Sequence, residues 1–234
     1  MTRKLLTLAL TALAAVACST QQTEQETVLD ECDVTLGGIA FTHSLNGAAG
    51  LVSEADGVIT FSAEPKTDYF RAPNGRVLDN APILLTEIDN TRPFTFLGHL
   101  TPGFTEKGRF NAAALYVFSS PVLWQKFAFE QDMRGLHKVV SVRTMDTSDD
   151  NNHDTIRDSA SVWYKISSDA TTIAFYFSLD GETWNLIRTY RNNYPEKAYL
   201  GISSQAPSDD PCVSTFDSLS LTFGTVGNFR LGQQ

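Results

Sequence analysis

Tyr176-Phe-Ser-Leu-Asp-Gly-Glu-Thr-Trp184 is the stretch on which the fold turns. Asp180-Gly181 accepts the positive φ values of a tight hairpin turn, and alternating residues flank it on both sides, so the segment reads as a β-hairpin. Its first arm runs back through Thr172-Ile-Ala-Phe-Tyr-Phe-Ser178, and its second runs on through Trp184-Asn-Leu-Ile-Arg-Thr-Tyr190. Working outward, the same alternation recurs in 57–62, 83–88, 113–118, 123–130, 137–143, 161–166 and 218–223. These segments are rich in β-branched and aromatic residues and are separated by Gly, Pro, Asn and Asp. Many short strands at close spacing predict an all-β protein, an antiparallel sandwich or barrel with little helix.

The N-terminus reads differently. Met1-Thr-Arg-Lys4 is a short cationic start, and Leu5 to Ala17 is apolar except at Thr7 and Thr11, the pattern of a signal peptide over residues 1–17. The run is shorter than the ~20 apolar residues a membrane-crossing helix needs. It ends in Leu13-Ala-Ala-Val-Ala-Cys18, which resembles the bacterial lipobox, with Ala15 where Leu is commonest. That resemblance implies lipid on Cys18 as the mature N-terminus, a lipid bilayer as partner, and a place outside the cytoplasm in the bacterial cell envelope. Residues 18–30 then form a polar tether, 31–224 the folded domain and 225–234 a C-terminal tail. With Cys18 assigned to lipid, Cys32 and Cys212 remain as a candidate disulfide in a compartment where such bonds persist.

Removing residues 1–17 deletes Arg3 and Lys4, which leaves 16 basic residues against 27 acidic ones, a net charge of −11. Such a surface is a poor partner for nucleic acid.

The ordered set Gly57-Val-Ile-Thr-Phe61, Thr67-Asp-Tyr-Phe70, Trp124-Gln-Lys-Phe-Ala-Phe-Glu130, Val162-Trp-Tyr-Lys165, Tyr176 through Trp184, Leu200-Gly-Ile202 and Phe216-Asp-Ser-Leu219 resembles a bacterial family of unknown function called regulation-of-enolase-like proteins. The resemblance covers about residues 40–223 and implies a concanavalin A-like lectin/glucanase jelly roll, with ligands on the concave face of one sheet. Ala128 stands where the family's Trp-x-Lys-x-Gly-x-Glu run has Gly. The fold implies no single activity.

The E-x-D-x-x-E strand of the glucanases of this fold does not occur, nor do H-E-x-x-H, C-x-x-C, G-x-S-x-G or a phosphate-cradling glycine loop. Ser178-Leu-Asp180-Gly181-Glu-Thr183-Trp184 differs from a sialidase Asp-box by one missing residue, and reads as scaffold. His43, His99, His137 and His153 lack metal-ligand spacing, and no metal or cofactor is expected. The acidic stretch Asp146 to Asp154 is rich in oxygen ligands but lacks the glycine and terminal glutamate of an EF-hand, so it reads as a solvated loop. A glycosidase could still use carboxylates from separate strands, and Glu130 is the strand carboxylate to watch.

Alternation sorts the side chains by face. Leu123, Gln125, Phe127 and Phe129 point one way, toward the core, and Trp124, Lys126, Ala128 and Glu130 the other. The same test puts Val162, Tyr164 and Ile166 inward with Trp163 and Lys165 outward, and Ile173, Phe175, Phe177 and Leu179 inward with Tyr176 outward. If those strands are neighbours, Trp124, Lys126, Glu130, Trp163, Lys165 and Tyr176 share one surface suited to carbohydrate, since aromatic faces stack on sugar rings and Lys and Glu bind hydroxyls. The functional expectation is carbohydrate binding on the concave face. A glycoside hydrolase or lyase acting on oligosaccharides, or a structural envelope module, is the alternative.

Overall fold

A computed structural model describes residues 29–233. The stretch read as a signal peptide, and Cys18, lie outside the described residues. Seventeen strands follow one another: β1 (Asp30–Leu36), β2 (Ile39–Leu45), β3 (Val52–Ala55), β4 (Val58–Ala63), β5 (Tyr69–Arg71), β6 (Val77–Asp79), β7 (Ile83–Asp89), β8 (Phe94–Thr101), β9 (Ala112–Ser120), β10 (Leu123–Gln131), β11 (His137–Met145), β12 (Thr147–Ile156), β13 (Val162–Ser168), β14 (Thr172–Ser178), β15 (Asn185–Arg191), β16 (Lys197–Gln205) and β17 (Cys212–Thr222). The one helical turn among the described residues is a 3-10 turn at Ala48–Gly50.

The strands form an antiparallel sandwich. One sheet has eight strands in the order β1-β2-β7-β16-β9-β10-β11-β12, the other seven in the order β15-β14-β13-β8-β17-β4-β3, and β5-β6 is a separate hairpin. The core lies between the two sheets, where Phe127, Phe129, Leu115 and Leu200 of the larger meet Tyr164, Ile166, Phe175 and Phe177 of the smaller. Phe127 and Tyr164 stack with centroids 3.6 Å apart, and the Tyr164 hydroxyl donates to the Ala128 carbonyl at 2.8 Å. Of the inward sets expected on β10, β13 and β14, Phe127, Phe129, Val162, Tyr164, Ile166, Ile173, Phe175 and Phe177 do face the core.

Strand β9 reads as a nearly continuous apolar run because both its faces are covered. A second cluster lies on the outer face of the larger sheet, where Tyr69 and Ala81, at the two ends of the β5-β6 segment, pack on Tyr116, Phe118, Trp124 and Ala128. Tyr69 meets Trp124 edge-to-face at 5.2 Å. The β5-β6 hairpin is thus a lid fixed on part of that face.

Four expectations are corrected. First, the hairpin at Asp180-Gly181 forms, but Phe177 pairs with Asn185, so the turn is a longer loop. The Asp180 carboxylate accepts from the amides of Glu182 (2.8 Å) and Thr183 (2.7 Å), which sets its pKa well below the usual carboxylate range. Leu179 consequently falls in the loop and is exposed.

Second, the acidic stretch expected as a loop is mostly the edge strand β12, paired with β11. Third, Cys32 and Cys212 are free. Cys32 sits in β1 at an edge of the larger sheet, while Cys212 opens β17 in the smaller one and is buried with Ala63 and Ala206. The terminal strands do not lie side by side, which removes the ground for the pairing. Fourth, the segment after β17 is not a free tail, because Val226 is buried with Ala174 and Tyr176 on the outer face of the smaller sheet.

Candidate functional site

The six side chains expected on one surface divide into two triplets on different sheets. β10 pairs with β9 and β11, and β13 pairs with β8 and β14, so Trp124, Lys126 and Glu130 lie on the outer face of the larger sheet and Trp163, Lys165 and Tyr176 on that of the smaller. The shared surface is corrected accordingly: alternation fixes a side chain's face within its own sheet and carries no information on sheet membership.

On the smaller sheet the C-terminal segment occupies the place a ligand would need. Lys165 Nζ donates to the Gly232 carbonyl at 2.9 Å and sits 3.5 Å from the centroid of the Trp184 ring, and Tyr176 donates its hydroxyl to the Phe229 carbonyl at 2.8 Å. Burial pushes the Lys165 ammonium down to about 8 and the Tyr176 phenol up to about 12. Trp163 stacks on His99 at 4.7 Å, and both nitrogens of His99 are engaged, with Asp217 and with Ser161, each at 2.9 Å. This triplet is a packed seam.

Trp124 is likewise buried, under Tyr69 and against Tyr116, with its indole N–H donated to the Pro121 carbonyl at 3.0 Å. Lys126 and Glu130 behave differently. Both open on a cleft of about 230 Å³ lined also by Asp68, Phe70, Phe110, Val140, Val142, Asp150, Asn152 and Gln205. Register brings them there: Lys126 stands opposite Val142, and Val142 opposite Asp150, so a lysine and a carboxylate flank one valine. One step along, Ala128, Val140 and Asn152 form the next row.

Lys126 ties the lid to the sheet. Its ammonium donates to the Tyr69 carbonyl at 3.0 Å, to Gln205 Oε1 at 2.9 Å and to Asp68 Oδ1 at 3.3 Å. Those three bonds use all three of its protons. Gln205 in turn donates to the Phe110 carbonyl at 3.0 Å and approaches Glu130 Oε2 at 3.5 Å.

Phe110 is held at φ 63, a left-handed conformation that costs a non-glycine residue about 1–2 kcal/mol. The bond from its amide to the Gln131 carbonyl (2.6 Å) and the bond it accepts from Gln205 fix it there, leaving the ring exposed at the cleft. Strain of this kind gathers at ligand clamps.

Glu130 is 8 % exposed. Burial is the main cause that raises its carboxyl to about 8, with Lys126 opposing and Asp68, Asp150 and Asp132 adding to the rise. At neutral pH it is an acid that still holds its proton. Burial of its carboxyl also raises Asp150.

Sequence reasoning found Lys126 and Glu130 and missed their companions. Asp150 and Asn152 lie in the oxygen-rich stretch already singled out, and Asp68 and Phe70 in the Thr67–Phe70 motif. No local signal marks Phe110 or Gln205.

The sequence matches the family model described as "Protein of unknown function (DUF1349)" over residues 45–223. The chain belongs to the DUF1349 family. No curated protein matches it. Among solved structures, a functionally unknown protein from Saccharomyces cerevisiae is similar, with a TM-score of 0.66 and 22% identity over 74% of this chain and 91% of that one. GH43B of a xyloglucan locus in Bacteroides ovatus superimposes with a TM-score of 0.57 at 15% identity, over 83% of this chain and 39% of that one. The GH43 protein BlXynB from Bacillus licheniformis does so with a TM-score of 0.55 at 14% identity, over 74% of this chain and 35% of that one. This DUF1349 chain therefore spans well under half the length of those two GH43 proteins. At these identities the likeness is one of fold: a sandwich that recurs within glycoside hydrolases.

Proposed function

We propose that this DUF1349 protein binds a saccharide in the cleft on the outer face of its larger sheet, and that lipid on Cys18 holds it at a membrane of the bacterial envelope. The observation that carries the reading is the convergence of two aromatic rings, Phe70 and Phe110, with the hydrogen-bonding groups of Glu130, Asp150, Asn152 and Asp68 in one cleft. Its volume lies below the roughly 300–1,000 Å³ of sites for drug-sized ligands, a size suited to one sugar unit with the rest of a chain outside. A sugar ring offers an apolar face to the phenyl groups and hydroxyls to the carboxyls. The resemblance to regulation-of-enolase-like proteins supports the same reading through the fold it implies.

Titrating the mature protein with a panel of mono- and oligosaccharides tests the proposal. Binding that Phe110→Ala weakens about ten-fold or more, a loss of ~1.4 kcal/mol, at an unchanged melting temperature is the expected result. A panel with no binder overturns it. For the anchor, palmitate labelling is expected to vanish in Cys18→Ser, and a variant still labelled and membrane-bound refutes it.

One observation favours a second reading, hydrolysis or elimination on an oligosaccharide. Glu130, whose buried carboxyl is raised to about 8, shares the cleft with the carboxyls of Asp68 and Asp150, and a pair of carboxyls is what glycosidases use. Reducing-end release that disappears in Glu130→Gln supports it, and binding without product excludes it.

A further inference from the structure

The cleft is rich in acceptors and poor in donors. Three carboxyl groups, Asp68, Glu130 and Asp150, line it against the single ammonium of Lys126, whose protons all go to protein acceptors. The Gln205 amide group is likewise engaged, with Phe110 and Glu130, and its carbonyl oxygen with Lys126. Asn152 is the remaining amide, lying 3.4 Å and 3.5 Å from the two oxygens of Asp150. Glu130 Oε1 and Asp68 Oδ2, by contrast, meet no donor among the described residues. Glu130 is the telling group: the residue is more than nine-tenths buried, yet its side chain lines the cleft.

We infer that the occupant of this cleft is a protonated amine borne on a sugar, an aminosugar unit, with its ammonium between Glu130 and Asp150 and its ring against Phe70 and Phe110. The inference rests on the saccharide reading above and adds the charge. An ammonium brings three donors to oxygens that lack them, and phenyl faces attract a cation as well as a ring. The groups facing Glu130 are Lys126 on its own strand, Lys138 across β11, Gln205 on β16, Asp150 on β12 and Asp68 at the lid. The two lysines are bonded elsewhere, Lys138 to Thr155 Oγ1. The raised Glu130 carboxyl is consistent with this: the proton it retains occupies the role an ammonium would take, and binding would release it.

Calorimetric titration of the mature protein at pH 7 with glucosamine, N-acetylglucosamine, glucose, glucuronate and cyclohexylamine separates the possibilities. Glucosamine is expected to bind about ten-fold or more tighter than glucose and N-acetylglucosamine, with glucuronate weakest, as a cleft lined by more carboxyls than cations dictates. Glu130→Gln, and independently Asp150→Asn if the first variant fails to fold, is expected to cut the glucosamine advantage to about three-fold or less while glucose affinity holds. Equal binding of glucosamine, N-acetylglucosamine and glucose overturns the inferred charge and leaves the saccharide reading standing. Cyclohexylamine binding with no sugar bound keeps the cation site and refutes the saccharide. If no probe binds, both fall.

Discussion

Replacing Glu130 with Gln removes a buried proton-binding group and keeps its shape. Its carboxyl moves from an ordinary 4.5 to about 8 in the folded protein, mainly through burial. Between those values the native state holds a proton that the unfolded chain has released, so rising pH favours unfolding. At 1.36 kcal/mol per pH unit, the interval amounts to about 4 to 5 kcal/mol. The glutamine variant has no such proton to lose. Relative to the native protein it is therefore expected to gain nothing between pH 3 and 4, to pull ahead progressively from pH 5, and to be ahead by about 4 to 5 kcal/mol above pH 8. His137 and His153, both lowered by burial, titrate in both proteins and cancel in the difference. Urea unfolding of the two proteins at pH 4, 6 and 8, compared as free energies, measures it. A difference that stays within about 1 kcal/mol from pH 4 to pH 8, less than one pH unit's worth, refutes the account of Glu130 as a buried, proton-holding acid.

Lys126→Met leaves the Tyr69 carbonyl, Gln205 Oε1 and Asp68 without their shared donor, and is expected to cost about 3–5 kcal/mol in chemical denaturation. Deleting residues 225–234 uncovers Val226's site and the Tyr176 and Trp184 rings, and is expected to lower stability by about 2 kcal/mol or more and to return the Lys165 ammonium upward from about 8 toward 10.5, readable by its amine reactivity against pH. Alkylation in denaturant without reductant is expected to modify both Cys32 and Cys212. Protection of either thiol until reduction contradicts the separation of their strands.

The face each strand turns to the core was legible wherever apolar residues alternate, as at Phe127, Phe129, Tyr164 and Phe175. Sheet order was not. Whether β10 neighbours β13 depends on pairings between residues far apart in sequence, and no local pattern encodes them, so Trp163, Lys165 and Tyr176 were joined to a surface they do not share. The strand β12 was hidden for a different reason: at an edge, Thr147–Ile156 needs little apolar burial, and its Asp149, Asp150 and Asp154 protect an open edge from pairing with other chains. Within the site, Lys126 and Glu130 followed from alternation, while Phe110 did not, because a phenylalanine at φ 63 is imposed by its hydrogen bonds to Gln131 and Gln205 and leaves no trace in composition. Burial of the C-terminal segment had a faint signal in the spaced apolar residues Val226 and Phe229.

The order of the larger sheet places β1 at one border and β12 at the other, with seven inter-strand steps between them. At roughly 4.8 Å per step the two borders stand about 34 Å apart. The cleft occupies the β12 half, whereas anything upstream of Asp30 joins the fold at the β1 border. A protein moored through Cys18 would thus be gripped by its heel, with its mouth at the opposite rim. A polymer seated at Glu130 then has a clear exit past β12, and the mooring and the cargo need not compete for the same approach.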